Sequence, residues 1–334
     1  MKQTFIIAGR MVREYILPPV GKPLLDAPGG SALYASGGLM VWDNAVGLMA
    51  LVGEDYPRSW LKEIESRGID IRGIKILEQN LDLRSFRAYS EKFEITRGTP
   101  VSQFARRQLT FPKELLGYQI PPEVQRDSMK PDPLAPSPME IPTEYREAQA
   151  VHFCPLDFVS HNQLLVAFKT GSATTYTLDP SPGYMSPPFF KNLRVIVAGL
   201  TAFLPSEEEL RGLFWGETHD LWEMAAALGD YGCEIVVVKR GALGQLVYDV
   251  AGKHKWEVPA YPARLADLTG AGDAFCGGFL AGYKQTYDPL QAALRGNVSA
   301  SLKVEGSGAF YPLDVLPGLA EARLSALKNL VREV

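Results

Sequence analysis

The nine residues DLTGAGDAF, positions 267–275 of this 334-residue chain, have the types and spacing that could do chemistry. Gly270, Ala271 and Gly272 are small enough to let a phosphate approach the backbone itself. From Ala274 onward Phe275, Phe279, Leu280 and Tyr283 recur at helical spacing. The glycines therefore precede a helix, where unpaired N–H groups collect and the helix dipole favours anions. Asp273 beside such a site is electrostatically odd if the site only binds phosphate. It makes sense as a general base that takes the proton of an attacking hydroxyl while the N–H groups hold a transferred phosphoryl group. An Asp in a first helical turn is also a common cap, and spacing alone leans slightly toward the cap.

Several other catalytic arrangements are missing. There is no GxxxxGK[ST], HExxH, GxSxG or paired CxxC, and the four histidines are scattered. His152 lies within an apolar strand pattern and reads as a satisfied core histidine. A dinucleotide reading of Gly270 and Gly272 fails because GxGxxG lacks its third glycine and the motif falls late in the chain.

The bulk properties bound the partners. Apolar residues make up 46% and charged residues 22% of the chain, and the net charge of −4 supplies no basic field for nucleic acid or anionic lipid. No run approaches the ~18 apolar residues of a membrane span, and the N-terminal apolar run is too short for a signal peptide. Cys154, Cys233 and Cys276 are widely spaced, as expected of reduced thiols. These features predict a soluble, cytoplasmic protein with no nucleic-acid or membrane partner.

The elements that must position the motif read as follows. TFIIAG (4–9) and AVGLMALVG (45–53) are buried strands separated by a helix from Ser31 to Trp42, and a second amphipathic helix ends at Gly68. Strand–helix alternation of this kind predicts a parallel sheet covered on both faces. Residues 72–110, with 11–20, are more polar and predict a small β lid, SQFARRQLTF among its strands. Residues 117–145 are too rich in proline for helix or central strand and predict a surface excursion within one domain spanning 1–334. Strands at AVHFC, ATTYTLD, RVIVAGL, EIVVVKRG and GQLVYDV then alternate with helices near 206–214 and 219–230. Three helices close the chain, at 271–284, 289–305 and 315–332.

DLTGAGDAF resembles the D-T-x-G-A-G-D signature of the PfkB, or ribokinase-like, carbohydrate kinases, and PGGSALYASGGLMVWDNAVGLMALVGEDYP resembles the family's N-terminal signature. The two occur in the family's order, and the likeness covers nearly the whole chain. It implies a three-layer α/β domain with a mainly parallel central sheet and a β lid. The activity it implies is ATP-dependent phosphorylation of a hydroxyl on a small sugar or polyol, with Mg²⁺ on the nucleotide. A cyclitol or nucleoside kinase is the alternative within the family, and a non-catalytic nucleotide or sugar sensor the alternative outside it.

Position by position, the resemblance makes Asp273 the base and Gly270, Ala271 and Gly272 the anion hole. Ser206 and Glu209 of PSEEEL fall where the family has an N-x-x-E motif associated with Mg²⁺, although acids in a helix first turn are also ordinary. Lys239, Gly241 and Gly244 match the nucleotide-binding segment, with Lys in place of the usual Thr, and Asn297 matches an Asn beside the adenine. Asp267 lies where many relatives shape a monovalent-cation site, so K⁺ is a further cofactor candidate. On the acceptor side Glu14 replaces the family's Asp and Tyr34 its Asn, while Gly29 and Gly30 are kept. Arg84 and Arg87 extend from the lid toward the acceptor or stand as solvated edge charges. Lid edges pair between subunits in relatives, which makes a homodimer an expectation.

Overall fold

The computed structural model describes residues 4–120 and 131–334. The N-terminal part contains β1 (Phe5–Ala8), β2 (Val12–Leu17), β3 (Leu24–Gly29), α1 (Ser31–Met40), β4 (Val46–Val52), α2 (Arg58–Ser66) and β5 (Asp70–Ile76). β6 (Arg84–Tyr89), β7 (Ile95–Thr96) and α3 (Pro100–Arg106) follow. After the proline-rich stretch come β8 (Ala150–Phe153), α4 (Phe158–Phe168), β9 (Thr175–Leu178), α5 (Arg194–Val197), β10 (Ala202–Phe203), α6 (Glu207–Leu213) and α7 (Leu221–Gly229). The chain ends with β11 (Ile235–Lys239), β12 (Gln245–Asp249), β13 (His254–Val258), α8 (Ala271–Thr286), α9 (Pro289–Lys303), α10 (Leu319–Lys328) and β14 (Arg332–Glu333).

Ten strands form one sheet in the order β14-β13-β12-β11-β10-β9-β8-β1-β4-β5. The run from β11 to β5 is parallel, and β12, β13 and β14 add an antiparallel edge. Alternation along the strands divides the interior. Ile6, Val151, Phe153, Val236 and Val238 pack against α4, α5, α6 and α7 on one face. Phe5, Ile7, Leu48, Ile235 and Val237 point the other way, into α1, α2, α8, α9 and α10. Strands buried on both faces read as continuous apolar runs, which is why the three-layer α/β reading of the sequence holds.

The small sheet has the order β3-β2-β6-β7 and its own core of Tyr15, Leu17, Phe86, Ala88, Phe104 and Leu115. Its composition differs from the expectation in three places. Residues 72–76 belong to β5 and pair in parallel with β4 in the main sheet. Residues 24–29, in which Pro28 hides the strand pattern, pair with β2 as β3. SQFARRQLTF contributes α3 instead of a strand, with Pro100 at the first helical position, where its missing N–H costs nothing.

RVIVAGL also departs from its predicted strand. Residues 194–197 are the short helix α5, and the strand beside β9 is the two-residue β10. The proline-rich stretch is not wholly a surface excursion: Ala135, Ile141 and Tyr145 are buried in the core, and the Tyr145 hydroxyl donates to the Asp70 carbonyl at 2.9 Å. Residues 121–130 of that stretch lie outside the described residues. His152 is fully buried, contacts Thr177 Oγ1 through Nδ1 at 2.9 Å, and is held neutral by burial, its pKa lowered to about 3. The three cysteines are free and buried. Among the described residues no helix is long and apolar enough to cross a membrane.

α1 and α8 meet backbone to backbone. A Cβ on Gly277 would lie 1.8 Å from the Ala35 carbonyl oxygen, and one on Gly38 would lie 2.0 Å from that of Ala274. No other residue fits at either place. The contact fixes the start of α8 against α1, and hence against the Gly29–Gly30 loop that leads into α1.

Candidate active site

α8 begins at Gly270, whose left-handed backbone (φ 75°) turns the chain into the helix. The position is closed to any side chain by strain and by space, since a Cβ there would fall 2.1 Å from Cγ of the Tyr34 ring. Gly272 is exposed and faces open space, with only Lys239 Nζ near, 3.6 Å from where a Cβ would be. The first N–H groups of a sixteen-residue helix are thus presented at an open, side-chain-free surface, the arrangement that binds anions.

Asp273 stands in this first turn, half-buried, and caps nothing. Among the described residues it has no hydrogen-bond or ion-pair partner. Burial pushes its carboxyl above the usual carboxylate range; Lys239 and Arg87 pull it down, and Glu14 and Glu209 add to the push. A carboxylate left unpaired between two cationic groups at an anion site has the geometry of a proton acceptor.

Lys239 ends β11, and its Nζ donates to Asp179 Oδ2 at 2.5 Å, with Cys276 Sγ 3.7 Å away. Burial opposes its charge, but Asp179, Cys276 and Glu209 outweigh burial and hold the ammonium charged. Asp179, just past β9, is a member of this cluster that the sequence reading missed. Nothing local marks it: its partners lie 60 and 97 residues away.

Ser206 and Glu209 form a closed capping box at the start of α6. The Ser206 N–H and hydroxyl both donate to Glu209 Oε2 at 2.7 Å, and Ser206 Oγ accepts from the Glu209 N–H at 3.2 Å. The Ser206 hydroxyl is therefore spent within the cap and does not present itself to a metal ion. Glu209 keeps one carboxylate oxygen outside these bonds, and burial with Asp179 nearby pushes its pKa up to about 7. Glu207 binds Arg211 and Arg240. Among the described residues no three His, Cys, Asp or Glu side chains are grouped to hold a metal.

Gly241 (φ 55°) and Gly244 (φ 84°), expected at the nucleotide, shape the turn between β11 and β12. Asn297 on α9 is buried, donates to Gln245 Oε1 (2.7 Å) and the Pro259 carbonyl (2.9 Å), and accepts from the Tyr261 N–H (3.0 Å). It fastens β12 and the segment after β13 to α9 instead of presenting a free amide.

Glu14 of β2, expected at the acceptor, is 1% exposed, accepts from the Tyr34 hydroxyl at 2.5 Å and lies 3.3 Å from Arg87 Nη1. Burial raises its pKa against the pull of Arg87 and Tyr34. Gly29 is needed for this packing, because a Cβ there would lie 2.1 Å from Glu14 Cδ. Arg84 does not join the site. Its guanidinium binds Asp82 and the carbonyls of Glu114 and Leu116, within the small sheet's own loop. Residues three apart on a strand face opposite ways, so Arg87 faces Glu14 while Arg84 faces away. Two residues further, the Tyr89 hydroxyl meets Thr269 Oγ1 at 2.8 Å, which joins the small sheet to the DLTGAGD turn.

The Asp267 position differs from the K⁺ expectation. The Lys303 ammonium, with its side chain fully buried, donates to the carbonyls of Asp267 (3.1 Å) and Gly306 (2.9 Å) and lies 3.8 Å from Asp267 Oδ2. A protein cation already sits among the oxygens that a metal cation would use, so these residues do not fit a bound K⁺.

A three-layer α/β domain with a small sheet over the start of a glycine-led helix is the ribokinase-like architecture. The chain superposes on a putative ribokinase II of E. coli, in a complex with ATP and Mg²⁺, with a TM-score of 0.71 at 17% identity, covering 98% of this chain and 100% of that one. A Vibrio cholerae O395 fructokinase double mutant, in a fructose-, ADP- and potassium-bound form, matches with a TM-score of 0.66 at 19% identity and 98% coverage of each chain. The profile of the pfkB family carbohydrate kinases matches residues 151–316. A cytidine kinase of Thermococcus kodakarensis is 28% identical over 293 residues, 87% of this chain and 91% of that protein. The chain carries a pfkB family match over residues 151–316 and, like its kinase relatives, is a phosphotransferase with an alcohol group as acceptor.

Proposed function

We propose that the protein transfers the γ-phosphoryl group of Mg·ATP to a hydroxyl of a small sugar-bearing acceptor, with Asp273 as the base. The observation that carries this is the unpaired Asp273 carboxylate in the same turn as the open N–H groups of residues 270–272. As the acceptor oxygen bonds the γ-phosphorus and the β–γ bridge breaks, the hydroxyl proton goes to Asp273 and ADP leaves. The Gly270–Gly272 N–H groups and Lys239 face the charge on the transferred group. In phosphoryl transfer such positioning and electrostatic stabilisation supply most of the rate.

Lys239, Gly241 and Gly244 shape the nucleotide side, and Asn297 holds that loop in place. Mg²⁺ would be held mainly by nucleotide phosphates and water, as is usual for this ion, and would neutralise phosphate charge. Asp179 and the spare oxygen of Glu209 are the carboxylates that would meet its water shell. Their donor set fits: burial pushes both carboxyls up, and a divalent cation would draw them back.

Glu14, Tyr34, Arg87, Gly29 and Gly30 form the acceptor wall. The likeness to a cytidine kinase across most of the chain favours a nucleoside ribose as acceptor. A free sugar is the second reading, favoured by the family's carbohydrate kinases. β3 and β7 form the edges of the small sheet, and edge pairing there is the route to a homodimer. A coupled ADP-release screen of Mg·ATP against pyrimidine nucleosides, purine nucleosides, free sugars and cyclitols tests the reading. Turnover with a nucleoside is expected. ATP binding without ADP release for any acceptor would overturn the catalytic assignment in favour of a nucleotide sensor.

A further inference from the structure

Lys303 is the last residue of α9, yet its side chain is fully buried. Burying an ammonium is costly unless its partners are arranged to compensate. Here they are: two backbone carbonyls accept from it, the Asp267 carboxylate lies at 3.8 Å, and the Tyr34 ring lies under it at 5.4 Å. Asp267 in turn uses Oδ1 to accept from the Thr269 N–H at 2.9 Å, which bends the chain just before Gly270. Its Oδ2 is buried with no hydrogen-bond partner, so Lys303 is the charge that balances it. The Asp267 N–H bonds to the Val304 carbonyl at 3.1 Å, closing the connection between the end of α9 and the start of the catalytic turn.

We propose that Lys303 is a built-in monovalent cation: its ammonium takes the place of a dissociable ion beneath the anion-hole turn and makes the enzyme independent of K⁺. It acts as a positioning residue, through Asp267 and Thr269 on the N–H groups of residues 270–272, and its catalytic consequence rests on the kinase reading given above. Burial lowers the Lys303 pKa, and the neighbouring Asp267 and Glu14 oppose that shift. The same ammonium faces the Tyr34 ring, whose hydroxyl binds Glu14, so one fixed charge supports both sides of the site.

The test compares wild type with Lys303→Ala in chlorides of K⁺, NH₄⁺, Na⁺ and N-methylglucamine at equal ionic strength, reading both thermal unfolding without nucleotide and ADP release. Wild-type Tm and turnover are expected to be unchanged across the series. Lys303→Ala should lose turnover in Na⁺ or N-methylglucamine on the order of a hundredfold, as when a group organising charge stabilisation is removed. K⁺ or NH₄⁺ should restore both Tm and turnover in the variant, because the vacated carbonyls and carboxylate are hard oxygen donors. Selective activation or stabilisation of wild type by K⁺ would overturn the proposal, and this arm needs no folded variant. A folded Lys303→Ala that responds to K⁺ no more than to N-methylglucamine would also overturn it. The unfolding measurements use no ATP, so they succeed or fail separately from the kinase reading, whose own failure is the absence of ADP release from wild type with every acceptor.

Discussion

Helices α6 and α8 each carry an acid three residues past the cap and use it in opposite ways. At the start of α6, Glu209 reaches back to the Ser206 N–H and hydroxyl and closes a capping box. At the start of α8, Gly270 supplies no cap side chain, and Asp273, one methylene shorter, makes no hydrogen bond. The first acid satisfies its helix. The second leaves the helix N–H groups open and itself without a hydrogen bond. The same local sequence signal accompanies a closed cap in one place and an open helix start in the other.

The largest expected effect breaks this comparison at α8. Asp273→Asn should lower turnover by about 10²–10⁴-fold, the usual worth of a general base. Tm should hardly change, because no intramolecular bond is lost, and nucleotide affinity should persist. Undiminished turnover, or a large drop in Tm, would make Asp273 a structural acid like Glu209.

The second effect concerns pH. With its folded pKa raised to about 7, above the unfolded value of about 4.3, Glu209 binds its proton more tightly in the folded state. The stability this contributes is full below the unfolded pKa and is lost as pH rises through the folded one. Wild-type stability should therefore fall between about pH 4.5 and 7 by on the order of 2 kcal/mol from this group. Glu209→Gln should flatten the fall in a series of pH-dependent denaturant titrations. An equally steep wild-type and variant profile would remove Glu209 as the source.

The smallest effect is at the cap itself. Ser206→Ala should cost about 1 kcal/mol of stability, as loss of an N-cap hydroxyl does. Chemical denaturation would measure it, and a turnover loss beyond the stability loss would mean that Ser206 meets the nucleotide after all.

Much of this was legible in the sequence, for physical reasons that also explain the rest. Parallel strands buried on both faces announce themselves as apolar runs, so β1, β4, β8, β9 and β11 were readable. RVIVAGL carries the same signal yet forms α5, because a short apolar run has no period that separates buried strand from buried helix. β3 was hidden by Pro28 and by the left-handed Asp26 (φ 49°). The small residues of 270–272 and Asp273 could be singled out because they lie in one turn. Asp179 and Lys303 could not, since their partners lie far away in the chain. Arg87 was readable in principle: period-two alternation along β6 separates it from Arg84.

The backbone-to-backbone contact of Gly277 with Ala35, and of Gly38 with Ala274, has a consequence for how this enzyme can diversify. The contact fixes the start of α8 against α1, with no side chain at the crossing whose size could be varied. Adaptation toward a larger or smaller acceptor has no purchase on that spacing. The four-stranded sheet has a separate, smaller core; it brings Arg87 to Glu14 and is tied to the turn before α8 through Tyr89 and Thr269.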